Sequence, residues 1–535
     1  MLADTVMYNG RIYTVDPLTP QAQAIALRGP RIEALGSDEA ILPLLRPSGC
    51  AVDLRGRAVV PGFIDSHVHF LLFSLGLQRV NLVGAGSKVE VLERVRARAL
   101  TTPPGDWILG GGWDRNLWED NAFPTRHDLD VVAPRQPVAL SSKDVHTTWL
   151  NSLALQQAGI TADTFDPPGG EIVRDASGIP TGILREQAQH LIDNVIARPS
   201  AAARRAAVRE GIACAHQVGV TGFHDCEDEE AFITFQELAE AGELTCRVLM
   251  HLAADNLDAA IRVGLRTGFG NDRLRIGGLK VFVDGALGSR SAYMLEPFTG
   301  ESDNCGILVT DHATLADMVC RASAAGISAA IHAIGDAANR LALDALQAAR
   351  SQTIDQRLRH RIEHAQLLNL SDIPRFAELE VIASMQPQHA TADIDLVERH
   401  WAGGRIAGAY AWRKLLNDGA RLAFGSDAPV EALSPLLGIH AAVTRRRVDG
   451  YPGPQGWRSE ECLTVAEALR GFTLDAAYAS GEEALKGSLT PGKLADLVIL
   501  SQDIFAIPPM DIAETRVEAT IFNGQFVHGN PDVLE

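Results

Sequence analysis

His67 and His69 stand two apart in PGFIDSHVHF (61–70), a spacing that turns both imidazoles the same way from an extended chain. Further along, His332, His364 and Asp427 each lie at the end of a short apolar run. Imidazole and carboxylate are ligands for Zn2+ and related divalent ions, so the chemistry this set could do is metal binding. An isolated HxH is weak evidence, and a histidine picked blindly is more often structural than a ligand. Lys280 is the odd member. The chain has only six lysines, and this one interrupts an apolar strand-like run, GLKVFVDG (278–285). A desolvated ammonium is costly there, unless it snorkels to solvent or pairs with Asp284.

Elements must bring these residues together across some 360 positions. The middle of the chain alternates apolar strands with helical stretches such as TLADMVCRASAAG (314–326) and AANRLALDALQAAR (337–350), the pattern of parallel βα units. Eight strand segments can be read: 58–70, 219–225, 246–253, 278–285, 326–335, 359–366, 381–387 and 421–430. Eight units predict an α/β fold, a (β/α)8 TIM barrel, whose active site gathers at the C-terminal strand ends. No GxGxxG follows the early strands, which argues against a dinucleotide fold. Five of the eight strands then deliver a ligand-type residue at the functional end, and this recurrence outweighs any single motif.

Both chain ends read as short strands broken by Gly and Asp. They predict a small β-sandwich subdomain built from residues 1–57 and 471–535 around a barrel at 58–470. The gap after the first barrel strand, roughly 75–200, is too long for a loop. With its Trp-, Pro- and Gly-rich GGGWDRNLWEDNAFP, it predicts an inserted subdomain over the barrel mouth.

A formal charge of −19 disfavours nucleic acid or an anionic membrane as partner. No apolar run approaches the roughly 20 residues of a membrane span. The N-terminus enters strand-like alternation without a signal-type apolar core. Seven cysteines, an odd number with no CxxC, read as free thiols of a reducing compartment. A cytoplasmic enzyme acting on a small molecule is the expectation.

Taken together, PGFIDSHVHF, GGLKVFVDGALGSRSA (277–292), IHAIGDAAN (331–339), RHRIEHAQ (359–366), SMQPQH (384–389), FGSDAPV (424–430) and LTPGKLADLVIL (489–500) resemble, in order, the amidohydrolase superfamily. The similarity is to its amidohydrolase-3 branch of metal-dependent hydrolases, which includes N-substituted formamide deformylases, and it covers nearly the whole chain. The resemblance implies a two-metal centre, with zinc expected and manganese, iron or cobalt open. His67, His69 and Asp427 would hold one ion and His332 and His364 the other. Lys280 would be carboxylated and bridge both through its carbamate, a role for which desolvation supplies the neutral amine. A shared water would become the attacking hydroxide, with Asp427 as general base and then acid.

The resemblance also places His146, in KDVHTTWLNS (143–152), toward substrate, with a surface histidine as the equal alternative. Trp113 and Gln386 are candidate pocket walls, Trp113 being equally placed for the insertion's core. His389 is a candidate substrate contact, His224 a hydrogen-bonded histidine near the site, and Gly288 and Ser289 shape a loop. The reaction expected is hydrolysis of an amide, formamide or other N-acyl C–N bond. A cyclic imide, ester, lactone or carbamate is the alternative, and a non-catalytic binding relative the more distant one. Oligomeric state is open, a homodimer being common in such families.

Overall fold

The computed structural model describes residues 2–119, 122–143, 147–167, 170–196, 198–352 and 358–531. They divide into two compact units, one made of the chain through Leu71 together with Arg209 onward, the other of Leu72–Val208.

The first unit holds an eight-stranded sheet. In chain order its strands are β1 (Phe63–Val68), β2 (Val220–Asp225), β3 (Arg247–Ala253), β4 (Leu274–Phe282), β5 (Ala329–Ala333), β6 (Arg361–His364), β7 (Ile382–Met385) and β8 (Arg421–Phe424). Each pairs in parallel with its sequence neighbour. Nearly every strand residue is buried, as expected where one face packs inward and the other under helices. The ring closes where the chain leaving β8 meets the end of β1. Asp427 N donates to His67 O at 2.8 Å, and His69 N donates to Ala428 O at 2.9 Å. Gly425 makes this approach possible, since a Cβ there would lie 2.5 Å from His67 N. The fold is therefore an α/β (β/α)8 barrel.

The run 58–70 turns out to be two strands. Ala58–Pro61 pairs with Leu497–Leu500 and Arg11–Tyr13 in a different sheet, and only Phe63–Val68 enters the barrel. The break falls at Pro61–Gly62. Proline has no N–H for a ladder, and a Cβ at Gly62 would stand 2.3 Å from Thr221 Oγ1. The two helical stretches read from the sequence form His312–Ala324 and Asp336–Gln352. The first starts two residues before its apolar pattern because Asp311 caps it, accepting from Ala313 N and Thr314 N at 3.0 and 3.1 Å.

Ala58–Pro61 belongs to a six-stranded sheet that also contains Leu497–Leu500, Val517–Phe522 and Gln525–His528. A four-stranded sheet is formed by Ala3–Tyr8, Ala24–Arg28, Arg31–Gly36 and Leu45–Asp53. Met7, Ile25 and Val52 of the smaller sheet share one apolar core with Val59, Leu497, Ile499 and Ile521 of the larger. The second unit has its own six-stranded sheet, with Val80–Asn81 and Gly170–Arg174 as its edge strands, and separate apolar clusters around Trp149 and around Leu150.

Candidate metal centre

β1 ends by delivering His67 and His69, and the loop after β8 delivers Asp427 against them. Asp427 Oδ1 lies 3.5 Å from His67 Nε2 and 3.3 Å from His69 Nε2. Its Oδ2 faces His389 Nε2 at 3.7 Å. His364 joins from β6, its ring centroid 4.7 Å from that of His67 and 4.5 Å from that of His332 on β5. Strand alternation alone would turn His364 away, because Arg361 and Glu363, two apart, already point inward. A φ of +73° at His364 and +58° at Asp427 re-aims both side chains, an unusual conformation for residues other than glycine.

Neighbours fix the ring orientations. His67 Nδ1 is 2.7 Å from Glu363 Oε2. His364 Nδ1 is 2.8 Å from Gln386 Oε1. In each case the acceptor oxygen puts the proton on Nδ1 and the lone pair on Nε2. His332 is turned the other way, with Nε2 3.0 Å from Gly285 O, so that its lone pair is on Nδ1. Such oxygen partners are what metal-ligating histidines carry.

Burial, helped by the charge on Lys280, pushes His67 down to about 4 and His332 down to about 3. Burial, with His332 and His67 beside it, holds His364 well below its ordinary value. For Asp427, burial pushes upward, but His69 Nε2 at 3.3 Å and the surrounding His67, His364 and His389 rings outweigh it, leaving the carboxyl well below its usual range. Neutral imidazoles around an ionised carboxylate are in the protonation state a cation requires.

Several ligand atoms here are buried without any hydrogen-bond partner: His67 Nε2, His389 Nε2, Asp427 Oδ1 and Lys280 Nζ. Buried polar atoms are ordinarily satisfied, and a divalent ion would satisfy the imidazole and carboxylate lone pairs at once. Two triads have ligand atoms within 4.8 Å of one another, His67–His69–Asp427 and His364–His389–Asp427. The residues fit a metal centre.

Lys280 sits on β4, 3% exposed, its Nζ 4.7 Å from the centroid of the Phe282 ring. It does not reach solvent, and it forms no ion pair with Asp284 among the described residues. Asp284 instead accepts from Tyr293 N, Ile334 N and Gly335 N at 2.8–3.0 Å, and burial raises it to about 7.

The peripheral residues go to different places. Gln386 orients His364, and His389 joins a triad. His224 Nδ1 is 2.7 Å from Arg361 Nη1. Trp113 is buried in the second unit's own core beside Trp118 and Trp149, its Nε1–H donated to Leu140 O at 2.9 Å. His146 lies outside the described residues. Ser289 bonds Ser291 Oγ at 2.6 Å within the loop after β4. Sequence reasoning did not single out Glu363 or Arg361, although both stand in RHRIEHAQ. The available signal was their alternation: a strand buried on both faces had no other reason to carry two charges two residues apart.

The profile of the amidohydrolase family matches residues 51–528. Protein LONG AFTER FAR-RED 3 of Arabidopsis thaliana is 35% identical over 540 residues, covering 98% of this chain and 91% of that protein. N-substituted formamide deformylase of Arthrobacter pascens is 30% identical over 546 residues, 98% of each chain. The crystal structure of an uncharacterized metal-dependent hydrolase from Pyrococcus furiosus aligns with a TM-score of 0.77 at 29% identity, covering 94% of this chain and 99% of that one. With a barrel whose strand ends gather buried, unsatisfied ligand atoms, and with these relatives along its whole length, the chain belongs to the amidohydrolase family of metal-dependent hydrolases.

Proposed function

We propose that this hydrolase cleaves C–N bonds of amides, formamides or related N-acyl small molecules at a binuclear centre. His67, His69 and Asp427 would hold one ion, His332 and His364 the second, and a carbamate on Lys280 would link the two. The cluster of unpartnered ligand atoms around Asp427 carries this reading. The choice of C–N bond rests on the likeness to N-substituted formamide deformylase. Bound divalent ions, zinc first among them, supply Lewis acidity and a water acidic enough to react near neutral pH.

The chain's own residues do the rest. Asp427 presents Oδ1 to His67 and His69, which leaves Oδ2 to take a proton from the attacking water. Returned to the departing nitrogen, that proton lets the C–N bond break, with water adding to the carbonyl carbon to give an acid and an amine. Burial opposes ionisation of Asp427, and its histidine neighbours outweigh that effect and keep it ionised. The seven free thiols suit a reducing, cytoplasmic setting, and no helix among the described residues is long and apolar enough to cross a membrane.

The test is a matched hydrolysis screen of the metal-loaded enzyme over formamides, N-acyl amines, cyclic imides, esters, lactones and carbamates. Amine release with the highest kcat/KM on an amide class is the expected result. Preference for an ester or lactone would replace the C–N reading, and bound metal without turnover on any class would make the chain a binding relative. Asp427→Asn should lower kcat by about 10²–10⁴.

A further inference from the structure

We propose that Glu363 is a positioning residue that sets the tautomer of His67, and that Arg361 sets the orientation of Glu363. The inference rests on the reading of His67 as a metal ligand.

Glu363 is fully buried on β6, and its Oε2 lies 2.7 Å from His67 Nδ1. An ionised carboxylate can only accept, so Nδ1 carries the proton. The lone pair is then on Nε2, the buried atom facing Asp427 Oδ1 at 3.5 Å. The other carboxylate oxygen, Oε1, is ion-paired with Arg361 Nε, with no hydrogen bond between the two atoms. Arg361 is itself 1% exposed and spans three strands. Its Nη1 meets His224 Nδ1 of β2 at 2.7 Å, and its Nη2 donates to Ser66 O of β1 at 3.0 Å. The guanidinium charge beside Oε1 favours an oxygen over an NH2 at that place, and the carboxylate is thereby held in one rotation.

This arrangement explains two buried charges in the barrel interior that ligate nothing themselves. Buried ion pairs are weak evidence for stability, whereas partners of ligating histidines commonly decide metal affinity. It also makes an unusual prediction for an isosteric change. In Glu363→Gln, Arg361 Nε would claim the amide oxygen. The amide NH2 would then face His67 Nδ1 and donate to it, driving the imidazole proton onto Nε2, where the metal must bind. Removing the arginine as well, in Arg361→Met/Glu363→Gln, frees the amide to turn its oxygen to His67 and restores the native tautomer.

Zn2+ loading measured by elemental analysis, across a series of buffered free Zn2+ concentrations, separates these cases. The thermal midpoint of each protein is recorded alongside. Glu363→Gln should need about 10–100-fold more free Zn2+ for half-loading, and the double variant should recover most of that loss. An unchanged loading curve in Glu363→Gln overturns the proposal. So does an equal shift in both variants, which would mean disturbed packing instead of a reversed tautomer. A wild-type protein that takes up no Zn2+ would instead overturn the metal-centre reading on which the inference stands.

Discussion

At the residue scale, the site is a set of groups whose ordinary behaviour has been altered by burial. His67 and His332 stay neutral far below the usual imidazole range because water is excluded and Lys280 is near. The spacing of His67 and His69 and the ligand-type residues at the ends of five strands could be read from the chain directly. Glu363 could be flagged by its alternation with Arg361, but its partner could not be named until the fold supplies His67. Gln386 was legible as a neighbour of the site but not as the hydrogen-bond partner of His364. Lys280→Ala should abolish metal uptake of at least one ion per chain and bring turnover to background, with formate or acetate restoring part of it. Full activity in that variant would remove the bridging role.

The element scale is where strand ends become a site. Closure of β8 onto β1 passes through Gly425, where a Cβ would also lie 2.7 Å from Asp65 Oδ1. Gly425→Ala should cost about 1–3 kcal/mol, in line with other overpacking, and should lower metal content because His67 and Asp427 are both displaced. Chemical denaturation with parallel metal analysis checks both effects. A second element-level device joins β5 to the approach of β6: His360 Nδ1 accepts from Ala329 N at 3.1 Å. Burial, then the charge of Arg350, pushes His360 down to about 4. A folded value below the unfolded 6.5 means the unfolded chain binds the extra proton. The contribution is therefore intact above pH 6.5 and is lost as pH falls through 4. The full loss is on the order of 3 kcal/mol, and His360→Gln should flatten this part of the stability-versus-pH curve. The run 58–70 shows what pattern alone misses at this scale. Its apolar character is continuous, and only the Pro61–Gly62 break reveals that it serves two sheets.

At the scale of the whole molecule, the eight-strand order was legible because each βα unit repeats the same alternation. The positions of the chain ends were legible only as pattern. A buried ion pair ties the terminal strands to the barrel. Arg247, at the start of β3, donates Nη2–H to Asp496 Oδ1 at 2.9 Å, and both residues are buried. Asp496 also accepts from Asn523 N at 2.8 Å. Asp496→Ala would leave Arg247 with Asp272, 3.2 Å away, as its remaining ionic partner and should cost about 1–3 kcal/mol. The kcat of the protein that remains folded should be unchanged, which a melting curve and a rate measurement on one sample decide. Whether one buried lysine joins two ions into a hydrolytic centre is decided by electron density at Lys280 in crystals grown with Zn2+ and bicarbonate. Density should continue from Nζ into a carboxylate between two ions. A bare amine beside a single ion would contradict the bridging role.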